Sequence, residues 1–302
     1  MRFSDYLNNK NKKPLISFEI FPPKTKKGLD NLQFELSLLT TLTPDFITVT
    51  YGAMGTTRDK TLDIASLIKN RFGIESACHL TCVGATKNEL DSMLEKIYQG
   101  GVRNIVALRG DPPQGETNFI ASKDGLSHGN ELVEHIRNFE SRKASSDHFG
   151  LAVAGYPEKH IEAPEMDVDL ANLKRKVDAG ADVIITQLFF DNKYYFDFVD
   201  RVRDIGISVP VIPGIMPILS AKQIKRITSM CGTSIPQELK AKLDSATDDD
   251  AKARDIGIQQ CIEQSKELIA RGVPGIHFYV LNKSTHMIRI MEALSGDLET
   301  AT

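Results

Sequence analysis

The stretch SFEIFPPK, residues 17–24, predicts a buried β-strand that stops at a double proline. Phe18, Ile20 and Phe21 are apolar, yet Glu19 places a carboxylate close to the C-terminal end of this strand. A strand buried on both faces holds a charge only at a cost, so Glu19 is either paired with a barrel lysine or arginine for packing or functional. Burial raises the pKa of a carboxyl group, which would make Glu19 a proton donor near neutral pH.

Seven further apolar runs follow this strand, and amphipathic stretches separate them. The eight predicted strands are 15–21, 45–51, 76–82, 104–108, 148–156, 182–189, 209–216 and 275–281. The predicted helices are 28–42, 57–71, 87–99, 131–139, 165–179, 192–205, 221–230, 248–271 and 284–293. Alternating strands and helices favour a parallel sheet with right-handed crossovers. Eight such units in 302 residues predict one closed (β/α)₈ TIM barrel, an α/β fold with a single domain over 1–302 and a helical insertion near 234–250.

Composition is ordinary for a soluble globular protein, with 41% hydrophobic and 25% charged residues. The net charge of −3 gives no reason to expect nucleic acid or an anionic membrane as a partner. No apolar run is long enough to span a bilayer, and the polar, basic N-terminus does not resemble a secretory signal, so we expect a cytoplasmic protein. The four cysteines lack the paired spacing of a structural zinc site, so we expect free thiols and no metal.

Polar residues collect where the predicted strands end. The catalytic end of a TIM barrel is formed by the C-terminal ends of its strands, so these residues should meet at one rim. A single one of them, such as His79, could be an ordinary core residue, but coincidence at most strand ends is harder to explain structurally. The group consists of Glu19, Thr50, Tyr51, Gly52, His79, Thr81, residues 109–113, residues 155–160, Gln187, residues 213–217, Tyr279 and Asn282.

The helix predicted after the fifth strand carries Asp169, Asn172 and Lys176 on one face, with Arg175 beside them. Basic groups suit phosphates and a carboxylate suits hydroxyls, so this face could hold a ribose and a pyrophosphate. From the spacing alone, a solvated face with local ion pairs is the simpler interpretation. The chain has no G-x-G-x-x-G fingerprint and no Walker motif, so a nucleotide cofactor would have to lie across the barrel rim.

Eight motifs in this order resemble those of the 5,10-methylenetetrahydrofolate reductases. They are SFEIFPPK, TVTYGA, HLTC, ALRGDPP, GYPEKH, ITQLFFD, VIPGIMPI and HFYVLN, and the match runs from residue 15 to residue 293. The RGDPP and E-x-F-P-P motifs are specific in combination, whereas each alone is weak. The resemblance implies a flavin-dependent (β/α)₈ barrel of the short bacterial type, without a regulatory domain. It also implies a homo-oligomer, either a tetramer or a dimer.

The resemblance implies an activity and assigns residues to it. NADH or NADPH reduces FAD, and the flavin then passes a hydride to methylenetetrahydrofolate, giving 5-methyltetrahydrofolate in a ping-pong reaction of one-carbon metabolism and methionine supply. Glu19 matches the general acid that opens the folate ring, and Asp111 matches the aspartate that contacts the pterin and tunes the flavin. Gln187, Tyr279 and Lys283 match substrate contacts. FAD contacts are matched by Thr50, Tyr51, Ala53, His79, Arg109, Gly110, Asp111, Tyr156, His160, Ala163, Asp169, Asn172, Arg175 and Lys176.

Two positions depart from the family pattern. Residues 218–221 contain no aromatic residue where bacterial relatives place one after Pro217, so substrate stacking would be weaker or Leu219 would supply an apolar wall. Lys283 stands where relatives often have arginine, and a lysine cannot form a bidentate contact with a folate glutamate tail. Three other interpretations stay open from the sequence: a flavin barrel oxidoreductase with another substrate, a folate-binding protein without catalysis, and a barrel lyase without flavin.

Overall fold

The computed structural model describes residues 2–7, 13–51, 58–111, 121–143 and 148–300. Its parallel sheet has the order β7-β6-β5-β4-β3-β2-β1-β9-β8, and its two end strands are consecutive pieces of one stretch, so the sheet nearly closes into a barrel. The predicted (β/α)₈ fold is therefore confirmed. The strands are β1 (Leu15–Ile20), β2 (Phe46–Val49), β3 (Glu75–Thr81), β4 (Asn104–Leu108), β5 (Gly150–Gly155), β6 (Val183–Thr186), β7 (Val211–Ile212), β8 (Gly214–Ile215) and β9 (Gly275–Tyr279).

Helices alternate with these strands on the outside of the barrel. They are α1 (Phe3–Leu7), α2 (Lys26–Leu39), α3 (Arg58–Phe72), α4 (Lys87–Gln99), α5 (Gly129–Ser141), α6 (Met166–Asp178), α7 (Asn192–Asp204), α8 (Ala221–Cys231), α9 (Gln237–Asp244), α10 (Asp250–Ala270) and α11 (Thr285–Thr300). Local signals fix several of their starts. Thr86 and Glu89 form a capping box at α4, and the side chain of Asp249 caps α10, as expected for the acidic run at 248–250.

The seventh barrel strand is divided at Pro213, which separates β7 from β8. A proline has no N–H group to donate to the sheet, so the ladder cannot run through this residue. Its carbonyl still accepts a hydrogen bond of 2.9 Å from the backbone N–H of His277. The piece before Pro213 pairs with β6 and the piece after it pairs with β9, so the division lies where the barrel closes.

Alternation along each strand sorts its side chains between two cores. Phe18 and Ile20 point outwards and pack in the main hydrophobic core beneath the helices. Leu15 belongs to a smaller cluster inside the lower barrel, together with Phe46 and Ile212. Because side chains alternate along a strand, Ser17 and Glu19 share the inner face with Leu15.

The short helix α1 was not predicted, because its sequence has no amphipathic repeat long enough to be recognised. Phe3 in this helix is completely buried, packs edge-to-face on Phe46 with ring centroids 4.8 Å apart, and belongs to the inner cluster. Its backbone N–H donates a 2.8 Å hydrogen bond to Oδ1 of Asn104 on β4. The N-terminal segment thus closes the bottom of the barrel.

The segment after α8, which contains the predicted insertion near 234–250, lies at the C-terminal end of the barrel. Thr233 donates to the carbonyl of Leu188 just after β6, and Ser234 donates to Glu158 in the loop after β5. Leu239 and Leu243 of α9 pack in a cluster with Met216, Ile218 and Ala253, among others. This segment therefore covers the rim beside the candidate site. Within the described ranges, no helix combines the length and the apolarity needed to cross a membrane.

Candidate active site

Two adjoining cavities open at the C-terminal end of the barrel, where the sequence places its polar residues. The inner cavity has a volume of about 430 Å³ and the outer one about 280 Å³. Leu108, Ala154 and Tyr156 line both, so the two form one continuous cleft. Of the predicted residues, Glu19, Thr50, His79, Asp111, Tyr156, Gln187 and Tyr279 line the inner cavity. Arg109, Tyr156, His160, Ala163, Asp169, Asn172 and Lys176 line the outer one.

Glu19 lies at the base of the inner cavity, held by the strand register. On β1 it stands opposite Thr48 of β2 and Tyr279 of β9. Its Oε2 atom lies 3.1 Å from Nε2 of His79 and 3.3 Å from Nε2 of His277, and the hydroxyl of Thr48 donates to it at 3.4 Å. The carboxylate therefore sits between two imidazoles.

The expected rise in the pKa of Glu19 is wrong. Burial raises the pKa of this carboxyl group, but the charge and hydrogen bonds of His79 and His277 outweigh burial and lower it to about 2. The partners that hold the charge are histidines, where the sequence suggested a lysine or arginine. Glu19 is therefore ionised, with an imidazole nitrogen of His79 and one of His277 beside its carboxylate.

The other inner residues are held by main-chain contacts. The hydroxyl of Tyr279 donates to the carbonyl of Thr186 at 2.7 Å, and burial raises the pKa of Tyr279 well above its usual value, so this hydroxyl stays protonated. The side-chain oxygen of Gln187 accepts from the N–H of Leu188 at 2.9 Å, which leaves its amide NH₂ to donate. Asp111 lines the same cavity and is exposed.

The outer cavity gathers the predicted face of α6. The carboxylate of Asp169 accepts from the backbone N–H of His160 at 3.0 Å, and Nζ of Lys176 donates to the carbonyl of Ala154. Burial lowers the pKa of Lys176 to about 8, and nearby Asp169 partly opposes this shift. Partial desolvation of the half-buried Lys176 ammonium costs free energy, and an anion bound beside it would offset that cost. The solvated-face interpretation is therefore wrong for Asp169 and Lys176.

Arg109 reaches the mouth of the outer cavity and meets a residue that sequence reasoning missed. Its guanidinium donates two hydrogen bonds to Glu162, at 2.6 and 2.7 Å, and this pairing raises the pKa of Arg109. The next residue, Gly110, has a φ of +91°, a conformation that glycine adopts readily. This turn places Arg109 at the outer cavity and Asp111 at the inner one, so one loop contributes a side chain to each cavity.

Five predicted site residues do not line the two cavities or cannot be placed, and one of them is Gly110, between Arg109 and Asp111. The hydroxyl of Tyr51 donates to Sδ of Met93 at 3.4 Å, beside a separate space of about 30 Å³. Arg175 is exposed and donates to Asn172. Lys283 is largely exposed, with Nζ 3.6 Å from Oε1 of Glu35. Ala53 lies outside the described residues.

Sequence reasoning also missed His277 and Ser17, which complete the surroundings of Glu19. The signal was present, because His277 precedes Tyr279 by two residues and Ser17 precedes Glu19 by two, so each pair shares one strand face. On the side where an aromatic residue is missing, Met216 and Ile227 line the cavity instead of Leu219. The four cysteines are free thiols, and the part of the chain that the structure describes holds no group of three potential metal ligands.

Comparison with known proteins identifies the family of the chain. The family model for methylenetetrahydrofolate reductase matches residues 2–295. The chain is 40% identical over 280 residues to 5,10-methylenetetrahydrofolate reductase of Escherichia coli K12, covering 92% of this chain and 90% of that protein. It is 42% identical over 284 residues to methylenetetrahydrofolate reductase (NADH) 1 of Arabidopsis thaliana, covering 91% of this chain and 47% of the plant protein. The chain thus spans about half the length of its plant relatives.

Solved structures show the same fold at low identity. An uncharacterized Clostridium thermocellum protein, described as binding two copies of 5-methyl-5,6,7,8-tetrahydrofolic acid, superposes with a TM-score of 0.64 at 16% identity, covering all of both chains. A 2,3-dimethylmalate lyase superposes with a TM-score of 0.54 at 11% identity, covering 98% of this chain and 84% of that one. These two likenesses establish the barrel alone. The family model and the bacterial relative, by contrast, cover nearly all of the sequence, and on that basis the chain belongs to the methylenetetrahydrofolate reductase family.

Proposed function

We propose that this protein reduces 5,10-methylenetetrahydrofolate to 5-methyltetrahydrofolate with NADH or NADPH, through FAD and in two alternating half-reactions. Family membership supports the reaction, and the names of the plant relatives favour NADH. The observation that carries the proposal is the placement of Glu19 at the base of the inner cavity, between two imidazoles. A buried carboxylate with two proton-bearing neighbours suits a reaction that must protonate an amine before it can accept a hydride.

The cleft is chemically suited to a flavin dinucleotide. The outer cavity offers the cations of Arg109 and Lys176 for phosphates, and Asp169 for hydroxyl groups. Lys176 is half-buried and desolvation lowers its pKa to about 8, so an anion bound beside it would stabilise its charged form. The inner cavity has mostly apolar walls, which suit a flat aromatic ring system. When bound there, the flavin would accept a hydride from the nicotinamide and give one to the folate carbon.

The side chains of the inner cavity would then have separate tasks. Glu19 delivers a proton to the substrate amine, so that the bond from this nitrogen to the bridging carbon breaks and the carbon becomes electrophilic. Gln187 presents an amide to whichever substrate occupies the cavity, and Tyr279 closes its floor with a hydroxyl fixed on Thr186. The carboxylate of Asp111 adds negative charge to the cavity, which disfavours extra electrons and so strengthens hydride donation.

An anaerobic visible spectrum of the purified protein with FAD tests the proposal directly. NADH should bleach the flavin, and methylenetetrahydrofolate should then restore its colour, which establishes both half-reactions and their order. Bleaching without recovery would indicate a flavin oxidoreductase with another acceptor, and a protein without affinity for flavin would favour a lyase or a binding protein.

We also propose that the chain forms a homo-oligomer, either a tetramer or a dimer. Support comes from large apolar side chains that the described structure leaves exposed, among them Phe34 at 64%, Ile161 at 56% and Met230 at 66%. Light scattering during size-exclusion chromatography tests this, and a monomer at micromolar concentration would contradict it.

A further inference from the structure

His277 is a buried histidine that bridges Glu19 to a serine. It is 1% exposed, its Nε2 lies 3.3 Å from Oε2 of Glu19, and its Nδ1 lies 2.8 Å from Oγ of Ser17. Ser17 and His277 are register partners on β1 and β9, so the sheet itself fixes their contact. These two contacts, one at each ring nitrogen, fix the orientation of the buried imidazole of His277.

The contacts of Ser17 allow both ring nitrogens of His277 to carry a proton. The hydroxyl of Ser17 has a second possible acceptor, the carbonyl of Ile276 at 3.5 Å. When the hydroxyl hydrogen points to this carbonyl, Oγ accepts from Nδ1–H of His277, and both groups are satisfied. With Nδ1–H used in this way, a proton on Nε2 of His277 lies between this nitrogen and Oε2 of Glu19, 3.3 Å away. The pair therefore carries one proton that either member can hold.

Few charged or titratable groups face this pair. On β3, Nε2 of His79 lies 3.1 Å from the same Glu19 oxygen, and on β9 the ring of Tyr279 packs edge-on against His277 with centroids 5.2 Å apart. Tyr279 stays neutral, because burial raises its pKa well above the usual value. The protonation of the site is therefore shared among Glu19, His277 and His79.

We propose that His277, oriented by Ser17, stores the proton that Glu19 delivers to the substrate. This inference rests on the proposed function, and His277 is a positioning residue because it acts through Glu19. The proton moves from Nε2 of His277 to Oε2 of Glu19 and from Glu19 to the substrate amine nitrogen. The bond from this nitrogen to the bridging carbon breaks, and its electron pair stays on the nitrogen. The pair is left one proton short, and solvent replaces that proton after product leaves.

The proposal resolves the conflict between the low pKa of Glu19 and its role as an acid. A carboxyl group with a pKa of about 2 is almost never protonated at neutral pH by itself. A carboxylate beside a protonated imidazole can be protonated transiently as the substrate amine takes the proton. The acid is then the pair of Glu19 and His277 rather than Glu19 alone.

Two substitutions separate proton storage from hydrogen bonding. In His277→Gln the side-chain amide reaches the position of Nε2 and can donate to Glu19, but it holds no acidic proton at neutral pH. In Ser17→Ala the imidazole of His277 remains, but it loses the hydrogen bond at Nδ1 that fixes its orientation. Each half-reaction is followed by rapid-mixing absorbance of the FAD-loaded protein. Flavin reduction by NADH needs no acid and should stay within about twofold of wild type.

Recolouring by methylenetetrahydrofolate should fall about ten- to hundredfold in His277→Gln, within the range for loss of general acid catalysis. Its alkaline limb should move to lower pH, because Glu19 alone must then hold the proton. Ser17→Ala should show a smaller fall. A wild-type rate and pH profile in His277→Gln would overturn the proposal, as would equal slowing of both half-reactions, which would indicate a structural role only.

Nitrogen NMR of histidine-labelled protein provides a readout that does not depend on activity. The chain has seven histidines, and Ser17→Ala identifies the resonance of His277 even where His277→Gln does not fold. We expect Nδ1 to be protonated at all pH values in the folded wild type and Nε2 to lose its proton as pH rises. A bare Nδ1 at neutral pH would overturn the proposal. If wild type fails to reduce folate while NMR shows this pattern, the proposed function is wrong and the proton store is not.

Discussion

Arg109 and Glu162 form a two-point ion pair across the mouth of the outer cavity, with N–O distances of 2.6 and 2.7 Å. Arg109 follows β4, and Glu162 lies in the loop between β5 and α6. A carboxylate that binds a guanidinium with both oxygens occupies the same donors that a phosphate would use. The carboxylate of Glu162 therefore occupies the position beside Arg109 where a phosphate of the proposed dinucleotide would bind.

Replacement of Glu162 should strengthen cofactor binding. In Glu162→Gln the competing charge is gone, so we expect the affinity for FAD to rise about two- to tenfold, in the range of a partly exposed ion pair. Flavin fluorescence titration of the apoprotein measures this. Glu292→Gln, an exposed position on α11, controls for the change in net charge. Unchanged or weaker binding in Glu162→Gln would contradict the expectation.

Glu19→Gln should separate the two proposed half-reactions. The amide keeps the shape of the side chain but cannot donate the acidic proton, so reduction of methylenetetrahydrofolate should fall about 10²- to 10⁴-fold. Flavin binding and oxidation of NADH should persist, because neither requires that proton. Anaerobic rapid mixing with each substrate measures both rates. A near wild-type rate with the folate would show that Glu19 is not the acid.

Asp111→Asn should make the flavin easier to reduce and a weaker hydride donor. The substitution removes a negative charge from the inner cavity, which Asp111 lines. The reduction potential, measured by equilibration with a reference dye, should rise, and transfer to folate should slow. Asp204→Asn at the end of α7 is the control, since it removes an equal charge at an exposed position. An unchanged potential in Asp111→Asn would argue against this role.

Lys176 should make cofactor binding depend on pH near 8. Burial lowers the pKa of Lys176 to about 8, so affinity for the anionic cofactor should fall as pH rises through that value and the ammonium loses its proton. Lys176→Met should bind more weakly at pH 7 and without this dependence. Lys174→Met, on the same helix and paired with Asp178, should behave as wild type. If the affinity of Lys176→Met still fell as pH rose through 8, a group other than Lys176 would cause the pH dependence.

The same group predicts the sign of a stability change. Lys176 has a pKa of about 8 in the folded chain and an ordinary value of 10.5, so between these values the unfolded chain binds more protons. The free energy of unfolding of the ligand-free protein should therefore gain a contribution that rises with pH in this window. Urea unfolding at pH 7.5 and 10, compared with Lys176→Met, isolates that contribution.

Gly110→Ala should destabilise the protein and weaken cofactor binding. The backbone has a φ of +91° there, and an added Cβ would lie 2.5 Å from Cγ1 of Val83. We expect a loss of about 1–3 kcal/mol in the free energy of unfolding. Gly296→Ala on α11 is the matched control, because nothing lies within 4 Å and helical alanine should add about 0.5–1 kcal/mol. Equal behaviour of the two variants in urea would refute the strain argument.

Strand and helix periodicity was enough to predict the barrel, and strand ends were enough to predict where the site lies. The boundaries were less well determined: the sixth strand was predicted over 182–189 but spans Val183–Thr186. The apolar run continues through Phe189. The carbonyl of Phe189, however, accepts a hydrogen bond from the side-chain amide of Gln264 on α10 and not from a neighbouring strand. A hydrophobic run shows that a segment is buried but not which element it packs against. Helix α1 was not predicted because five residues are too few to show a helical repeat.

What the sequence by itself determined is local: the alternation of strands and helices, the face of α6, and the presence of Glu19 at a strand end. What only the tertiary structure decided is the electrostatic state of that carboxylate. His277 is 258 residues from Glu19 along the chain. The strand that closes the barrel next to β9 is itself divided at Pro213. A pKa depends on charges a few ångströms away, and the closed barrel brings His79 from β3 and His277 from β9 to Glu19 on β1.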